Sequence, residues 1–260
     1  MEARLDGKVA LITGAAQGVG GAIAEAMAKS GAAGLLLTGR DEARGNAAAS
    51  NLTSGGVPTE FQSADLSDPS APARLVDRCL ARFGRIDLLV NAAGLTDRAS
   101  VADADIADWT KLFEVNARAP FFLMQHAIKA MRERKQGGAI VNILSMNAHC
   151  GSPELAVYSA TKAALALLTK NAANAHRRDR IRVNGIMMGW SATPAEMIMQ
   201  GEVLGHGPGW VDKAAASLPF GRLLAAEEVA NLAIFLLSDA AGPMTGALVD
   251  QEQWVAGAKA

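Results

Sequence analysis

Cysteine is almost missing from this chain of 260 residues: Cys79 and Cys150 are the only two. They lie far apart and match no redox or zinc spacing, so neither a disulfide framework nor a metal site is expected. Two reduced thiols in a cytoplasmic protein is the simpler expectation. Excess charge is missing as well, since 25 Lys and Arg against 26 Asp and Glu leave a net charge of −1. A nucleic-acid binder would carry a basic face, and a membrane-surface protein a polybasic patch; neither is present. No apolar run approaches the roughly 20 residues of a membrane span. The polar start, Met1 to Lys8, lacks the apolar stretch and cleavage site of a secretory signal. Linkers, low-complexity tracts and repeats are absent too, which leaves one domain over 1–260 as the expectation.

What is present is an alternation of short apolar runs and longer helical stretches. Strands are predicted at 9–12, 35–38, 59–63, 88–90, 140–144, 181–187 and 247–249. They are mostly apolar without alternation, as in strands covered on both faces. Helices are predicted at 18–30, 42–54, 69–83, 108–135, 157–178 and 227–237. Asp68 and Pro69 resemble a cap and a first-turn proline, and Gly31 and Gly84 stand where helices should stop. Repeated β-α units predict an α/β protein: a doubly wound parallel sheet of about seven strands with helices on both faces. One stretch departs from the pattern. Residues 189–224 are rich in Gly and Pro, and an irregular insertion of that length predicts a lid over a site.

Open parallel sheets bind ligands outside the carboxyl ends of their strands, and the unusual residues fall there. After the first strand comes Thr13-Gly-Ala-Ala-Gln-Gly-Val-Gly20. Its glycines allow a sharp turn and close approach to a pyrophosphate, while the helix amides favour the anion. Gly14, Gln17, Gly18, Val19 and Gly20 are therefore candidate cofactor contacts. A carboxylate after the second strand would accept a ribose 2′-hydroxyl; Arg40 stands there instead, suited to a 2′-phosphate. NADP(H) is favoured over NAD(H), and Asp41 is expected to cap the next helix. Asp65 and Leu66 follow the third strand, and Asn91, Ala92 and Gly94 the fourth. Ser145 ends the fifth, and Gly189, Trp190 and Thr193 follow the sixth.

Tyr158 and Lys162 occupy positions i and i+4 of one helix, hence one face. Tyr158 is the only tyrosine of the chain. A free phenol titrates near ~10, too high for acid–base work at neutral pH, and a neighbouring ammonium favours phenolate. Lys162 is placed to be that ammonium. Ser145 at a strand end can hydrogen-bond a substrate oxygen as charge develops on it. Asn116 precedes Pro120 by four residues, so its backbone carbonyl loses its helical donor and the helix should kink. The freed carbonyl would hold a water leading from Lys162 to solvent; the kink could equally serve packing alone.

Together, Thr13-Gly-Ala-Ala-Gln-Gly-Val-Gly20, Asn91-Ala-Ala-Gly94, Asn116, Ser145, Tyr158-Ser-Ala-Thr-Lys162 and Arg182-Val-Asn184 resemble the short-chain dehydrogenase/reductase family. The resemblance covers almost the whole chain, including the 13-residue step from Ser145 to Tyr158. It implies a Rossmann-type fold and an Asn116–Ser145–Tyr158–Lys162 catalytic set. It implies adenine contact by Asp65, adenosine-side support by Asn91 and Gly94, and cofactor contact by Thr193. Met188-Gly189 replaces the family's Pro-Gly, and Val249-Asp-Gln-Glu-Gln-Trp254 replaces its usual glycine pair.

The expected reaction is hydride transfer between a nicotinamide cofactor and a secondary alcohol or its ketone or aldehyde. A non-catalytic NADP-binding regulator, an enoyl reductase and an epimerase are the alternatives. Candidate substrate contacts are Ser145, Met146, Asn147, His149, Trp190, Met197 and Trp210. Their amide, imidazole and apolar groups are compatible with a polyol, sugar or small hydroxy ketone without selecting one. The run Ala163-Ala-Leu-Ala-Leu-Leu168 is apolar on more than one helix face. That predicts a partner subunit, and the resemblance implies a homotetramer, with a homodimer the alternative.

Overall fold

In the computed structural model, which describes residues 2–258, seven strands form one parallel sheet in the order β3-β2-β1-β4-β5-β6-β7. The strands are β1 (Val9–Thr13), β2 (Gly34–Gly39), β3 (Thr59–Ser63), β4 (Leu88–Asn91), β5 (Gly138–Ile143), β6 (Ile181–Met188) and β7 (Leu248–Gln251). Met1 of the polar start lies outside the described residues. Every expected strand is present to within about two residues at either end, the uncertainty inherent in element boundaries. Burial on both faces holds for β1, β2, β4, β5 and β6 but not for the edges. The edge strands β3 (Thr-Glu-Phe-Gln-Ser) and β7 (Leu-Val-Asp-Gln) are part-exposed and correspondingly more polar.

Helices α1 (Gly18–Lys29), α2 (Glu42–Ser54) and α9 (Ala226–Leu237) pack on one face of the sheet. Helices α3 (Ala71–Phe83), α5 (Ala119–Arg134) and α6 (Ala156–His176) pack on the other. Asp41 caps α2 as expected, accepting the Arg44 backbone N–H. Gly84 ends α3 in the left-handed conformation. The start of α3 differs from expectation. Asp68 turns its carboxylate to the backbone and hydroxyl of Ser70, which stands at the cap, and Pro72 takes the first-turn place expected of Pro69.

The long helix expected over 108–135 is two helices, α4 (Ile106–Phe113) and α5, joined by a π-helical turn at Glu114–Arg118. Pro120 explains the position of this break, because the turn ends where its missing N–H would be needed. The 189–224 stretch is not irregular. It carries α7 (Pro194–Ile198), a π turn at Met199–Val203, and α8 (Trp210–Ser217). Its two ends are stitched together: the Leu224 N–H donates to the Trp190 carbonyl at 2.9 Å, beside a parallel bridge between Ser191 and Leu224. Trp210, Ala214 and Leu223 give it a small core of its own.

β1 and β4 are adjacent but lead to crossovers on opposite sides. The crevice between their carboxyl ends is the topological switch point of the sheet.

Candidate active site

A cavity of about 1120 Å³ opens at that switch point and runs from Arg40 to the 189–206 segment. Its floor is made by backbone. Gly14 has φ +65°, and a Cβ there would stand 2.8 Å from the Cα of Ala93. A Cβ on Gly20 would overlap the Gly14 carbonyl oxygen. Glycine at these two places lets the first turn of α1 pack directly on the end of β1 and on the loop after β4. Thr13 fixes the neighbouring loop: its Oγ1 accepts the N–H groups of Ala92 and Ala93, both at 3.1 Å. On the wall, the Thr38 hydroxyl is buried without a partner. A glycine cradle at a helix N-terminus, an orphaned hydroxyl and a nearby guanidinium are the donor set that a phosphate-bearing dinucleotide needs.

Of the expected cofactor contacts, Gly14, Gln17, Gly18, Val19, Gly20, Arg40, Asp65, Leu66, Ala92, Gly94, Gly189, Trp190 and Thr193 line the cavity. Asn91 does not. Its side chain is buried and donates to Asn142 Oδ1 at 2.8 Å, and Asn142 in turn donates to Thr169 at 2.8 Å. Asn91 therefore ties β4 to β5 and α6 behind the cavity wall. Arg44 was missed at the sequence level. One turn into α2, it brings a second guanidinium to the mouth beside Arg40, paired with Asp41 at 3.1 Å. Asp65 accepts the backbone N–H and hydroxyl of Ser67, which with the nearby Arg40 holds its carboxyl below the usual range.

Ser145, Tyr158 and Lys162 converge deeper in the cavity. Ser145, two residues beyond β5, accepts the Asn147 N–H at 3.2 Å and is close enough to the Tyr158 phenol to act on its pKa. Lys162 Nζ donates to the Ile143 carbonyl at 2.9 Å and stands 5.8 Å from the centre of the Tyr158 ring. This geometry corrects the expected phenolate. Burial pushes the Tyr158 pKa up, the Ser145 hydrogen bond opposes it, and the lysine directs its proton to a carbonyl instead. Burial also lowers Lys162, to about 8. Desolvation is the largest influence on both groups.

Asn116 is fully buried, and its side-chain amide is fully engaged. Its Oδ1 accepts the Leu95 N–H at 2.8 Å; its Nδ2 donates to the Leu95 carbonyl at 2.9 Å and to Thr161 Oγ1 at 3.1 Å. Thr161 passes its own proton to the Tyr158 carbonyl at 2.6 Å. A single side chain thus fastens the loop after β4 to the helix that carries Tyr158. Arg182 and Asn184 are structural too. The first caps the carboxyl end of α9 through the carbonyls of Leu236, Leu237 and Ser238, and the second holds Met244 and Ala247.

Among the substrate candidates, Met146, Asn147 and Trp190 line the cavity. His149 points elsewhere, pairing with Asp250 at 2.8 Å on the surface. Met197 is turned outward, and Trp210 is buried in the small core of the 189–224 segment, stacked on Trp190 at 5.6 Å. Arg98, Glu196, Gln200, His206 and Glu252 complete the wall instead. The Glu252 carboxylate crosses close over Gly189, where a Cβ would make that side chain move aside.

A family model described as enoyl-(acyl carrier protein) reductase matches residues 14–251. The cis-4-hydroxycyclohexanecarboxylate dehydrogenase of Sinomonas cyclohexanicum is 35% identical over 246 residues, 93% of this chain and 94% of that one. The sorbitol dehydrogenase of Cereibacter sphaeroides is 35% identical over 245 residues, covering 90% and 91%. The solved structure of L-sorbose reductase from Gluconobacter frateurii, complexed with NADPH and L-sorbose, superposes with a TM-score of 0.93. It is 31% identical, and both chains are covered completely.

Proposed function

Because the chain belongs to the short-chain dehydrogenase/reductase family, we propose that it is an NADP(H)-dependent oxidoreductase interconverting a secondary alcohol and its ketone or aldehyde, with Tyr158 as the proton-transfer group. The observation that carries this reading is that Ser145, Tyr158 and Lys162 converge in one cavity that begins at the glycine turn after β1. The NADPH bound to the sorbose reductase and the dehydrogenase names of the other relatives support it.

The glycine turn from Gly14 to Gly20 would hold the pyrophosphate, Arg40 and Arg44 the 2′-phosphate, Asp65 and Leu66 the adenine, and Lys162 with Tyr158 the ribose. When bound, the nicotinamide ring supplies or accepts the hydride at the carbonyl carbon. Everything else falls to side chains. Ser145 holds the substrate oxygen by a hydrogen bond that strengthens as charge grows there. Tyr158, kept protonated at neutral pH by burial, gives its proton to that oxygen in the reductive direction. Lys162, with a pKa near neutrality, is suited to replace that proton. Asn116 keeps Tyr158 and the 95-loop in register.

The enoyl reductase of the family model's description would protonate carbon rather than oxygen. The Ser145–Tyr158 pair, two hydroxyls ready for one oxygen, favours the alcohol–carbonyl reaction. The domain spans 1–260, with residues 189–224 as a substrate lid. Leu167 on α6 and Phe121 on α5 are 70% and 39% exposed, and we place a partner subunit on this face, in a homotetramer or homodimer. Light scattering at the mass of one chain would remove the partner.

The direct test is NADPH consumption with a panel of ketones by the wild type and Tyr158→Phe. The phenylalanine variant should lose about 100- to 10,000-fold in kcat while still binding NADPH, with at most the loss of one ribose hydrogen bond. Near-normal turnover would end the proposal.

A further inference from the structure

The substrate end of the cavity carries a cluster of long polar side chains that proton transfer does not use. Glu196, in the first turn of α7, is its hub. Its Oε1 accepts Trp190 Nε1 at 3.0 Å and Gln200 Nε2 at 2.7 Å, and Arg98 Nη2 stands 3.8 Å from the same oxygen. Gln200 Oε1 meets His206 Nδ1 at 2.8 Å. Two segments far apart in the chain supply these groups: the loop after β4 and the 189–224 lid. The Glu196 and Arg98 side chains are only 13% and 22% exposed. Both charges reach the Tyr158 phenol, Glu196 raising its pKa and Arg98 lowering it. The cluster therefore borders the reacting atoms.

Its hydrogen-bonding capacity is not used up internally. Among the described residues, Glu196 Oε2 takes no hydrogen bond, and Arg98 spends one N–H on the Thr96 carbonyl of the five a guanidinium carries. A hydroxyl is the complementary ligand, since it can donate to the carboxylate and accept from the guanidinium at once. An apolar ketone would dry these groups without replacing their water, which a site built for hydroxyls rejects strongly. A keto acid gains little, because the Arg98 charge is already opposed by Glu196, and Glu154 lines the same cavity.

We propose that this cluster selects a neutral polyhydroxylated substrate, a ketose or the corresponding sugar alcohol, with Glu196 and Arg98 as its specificity-determining residues. The inference rests on the oxidoreductase reading above and names the substrate class of that site.

The experiment compares kcat/KM with NADPH for L-sorbose and D-fructose against cyclohexanone and levulinate. The better ketose should exceed cyclohexanone and levulinate by about 100-fold or more. Glu196→Met should collapse the ketose-to-cyclohexanone ratio by roughly 10- to 100-fold, chiefly through the ketose KM. Glu196→Gln keeps an acceptor for Trp190 and should retain most of that ratio. A purely structural role would lower both substrates together and leave the ratio intact, which overturns the assignment. Preference for cyclohexanone, or for levulinate with dependence on Arg98, also overturns it while leaving the oxidoreductase reading standing. NADPH binding without turnover of any carbonyl or alcohol would remove both.

Discussion

At the cofactor end of the cavity the walls are main chain: a glycine turn, the Thr13 hydroxyl clamped on two backbone N–H groups, and strand ends in register. At the substrate end they are side chains, Arg98, Trp190, Glu196 and Gln200, carried by the loop after β4 and by residues 189–224, whose ends are bridged at Ser191 and Leu224. The first end is fixed by covalent geometry and sheet pairing, and it tolerates almost no added atom. The second is a hydrogen-bonded mosaic in which one residue can change the ligand without moving the fold. A dinucleotide common to many reactions suits the rigid end, and a variable substrate suits the other.

The contrast can be broken most sharply at Gly20. Gly20→Val places carbon where the Gly14 carbonyl oxygen lies, and overpacking of this kind costs about 1–3 kcal/mol. It should lower Tm and weaken NADPH binding roughly 10- to 100-fold. Unaltered NADPH affinity in calorimetric titration would show that the cradle is not as tight as the contrast requires.

A smaller effect is expected where the cofactor end does use a side chain. Arg40→Ala should reduce kcat/KM for NADPH about tenfold, the worth of one charge-assisted hydrogen bond, and leave NADH values nearly unchanged. Equal losses with both cofactors would place Arg40 in packing rather than phosphate selection.

The smallest effect sits at the boundary between the two ends. Burial lowers Lys162 from 10.5 to about 8, so between these values the unfolded chain holds a proton that the folded chain has released. The stability contribution of Lys162 therefore rises with pH across that window and is lost as pH falls through 8. Cys79, raised by burial from 9.0 to about 12, acts in the opposite sense above pH 9. From pH 8 to 9 the wild type should gain about 1 kcal/mol relative to Lys162→Met, read as a Tm difference of about 2–4 °C. Parallel Tm curves for the two proteins would mean that the amine is hydrated rather than buried.

Legibility in the sequence follows the same division. Strand positions, the glycine cradle, Arg40 and the Ser145–Tyr158–Lys162 convergence follow from apolar runs and strand-end placement, since each depends on a local pattern. His149 illustrates the opposite: four residues after Ser145, it still turns away to Asp250, 101 positions on. Asn116 was located by its distance from Pro120, yet the structure uses its amide on Leu95 and Thr161. The Glu196 hub left no trace, because Arg98, Trp190 and Gln200 share no period and only the lid's path unites them.

By itself the amino-acid sequence determined the order of the strands and of most helices outside 189–224, the glycine turn after β1 and the shared helix face of Tyr158 and Lys162, all set by local sterics and periodicity. Tertiary structure alone decided which charges surround the phenol, that burial raises its pKa, and which polar groups line the far end of the cavity. These outcomes depend on desolvation and on contacts between segments distant in the chain, and neither is encoded in any short stretch of residues.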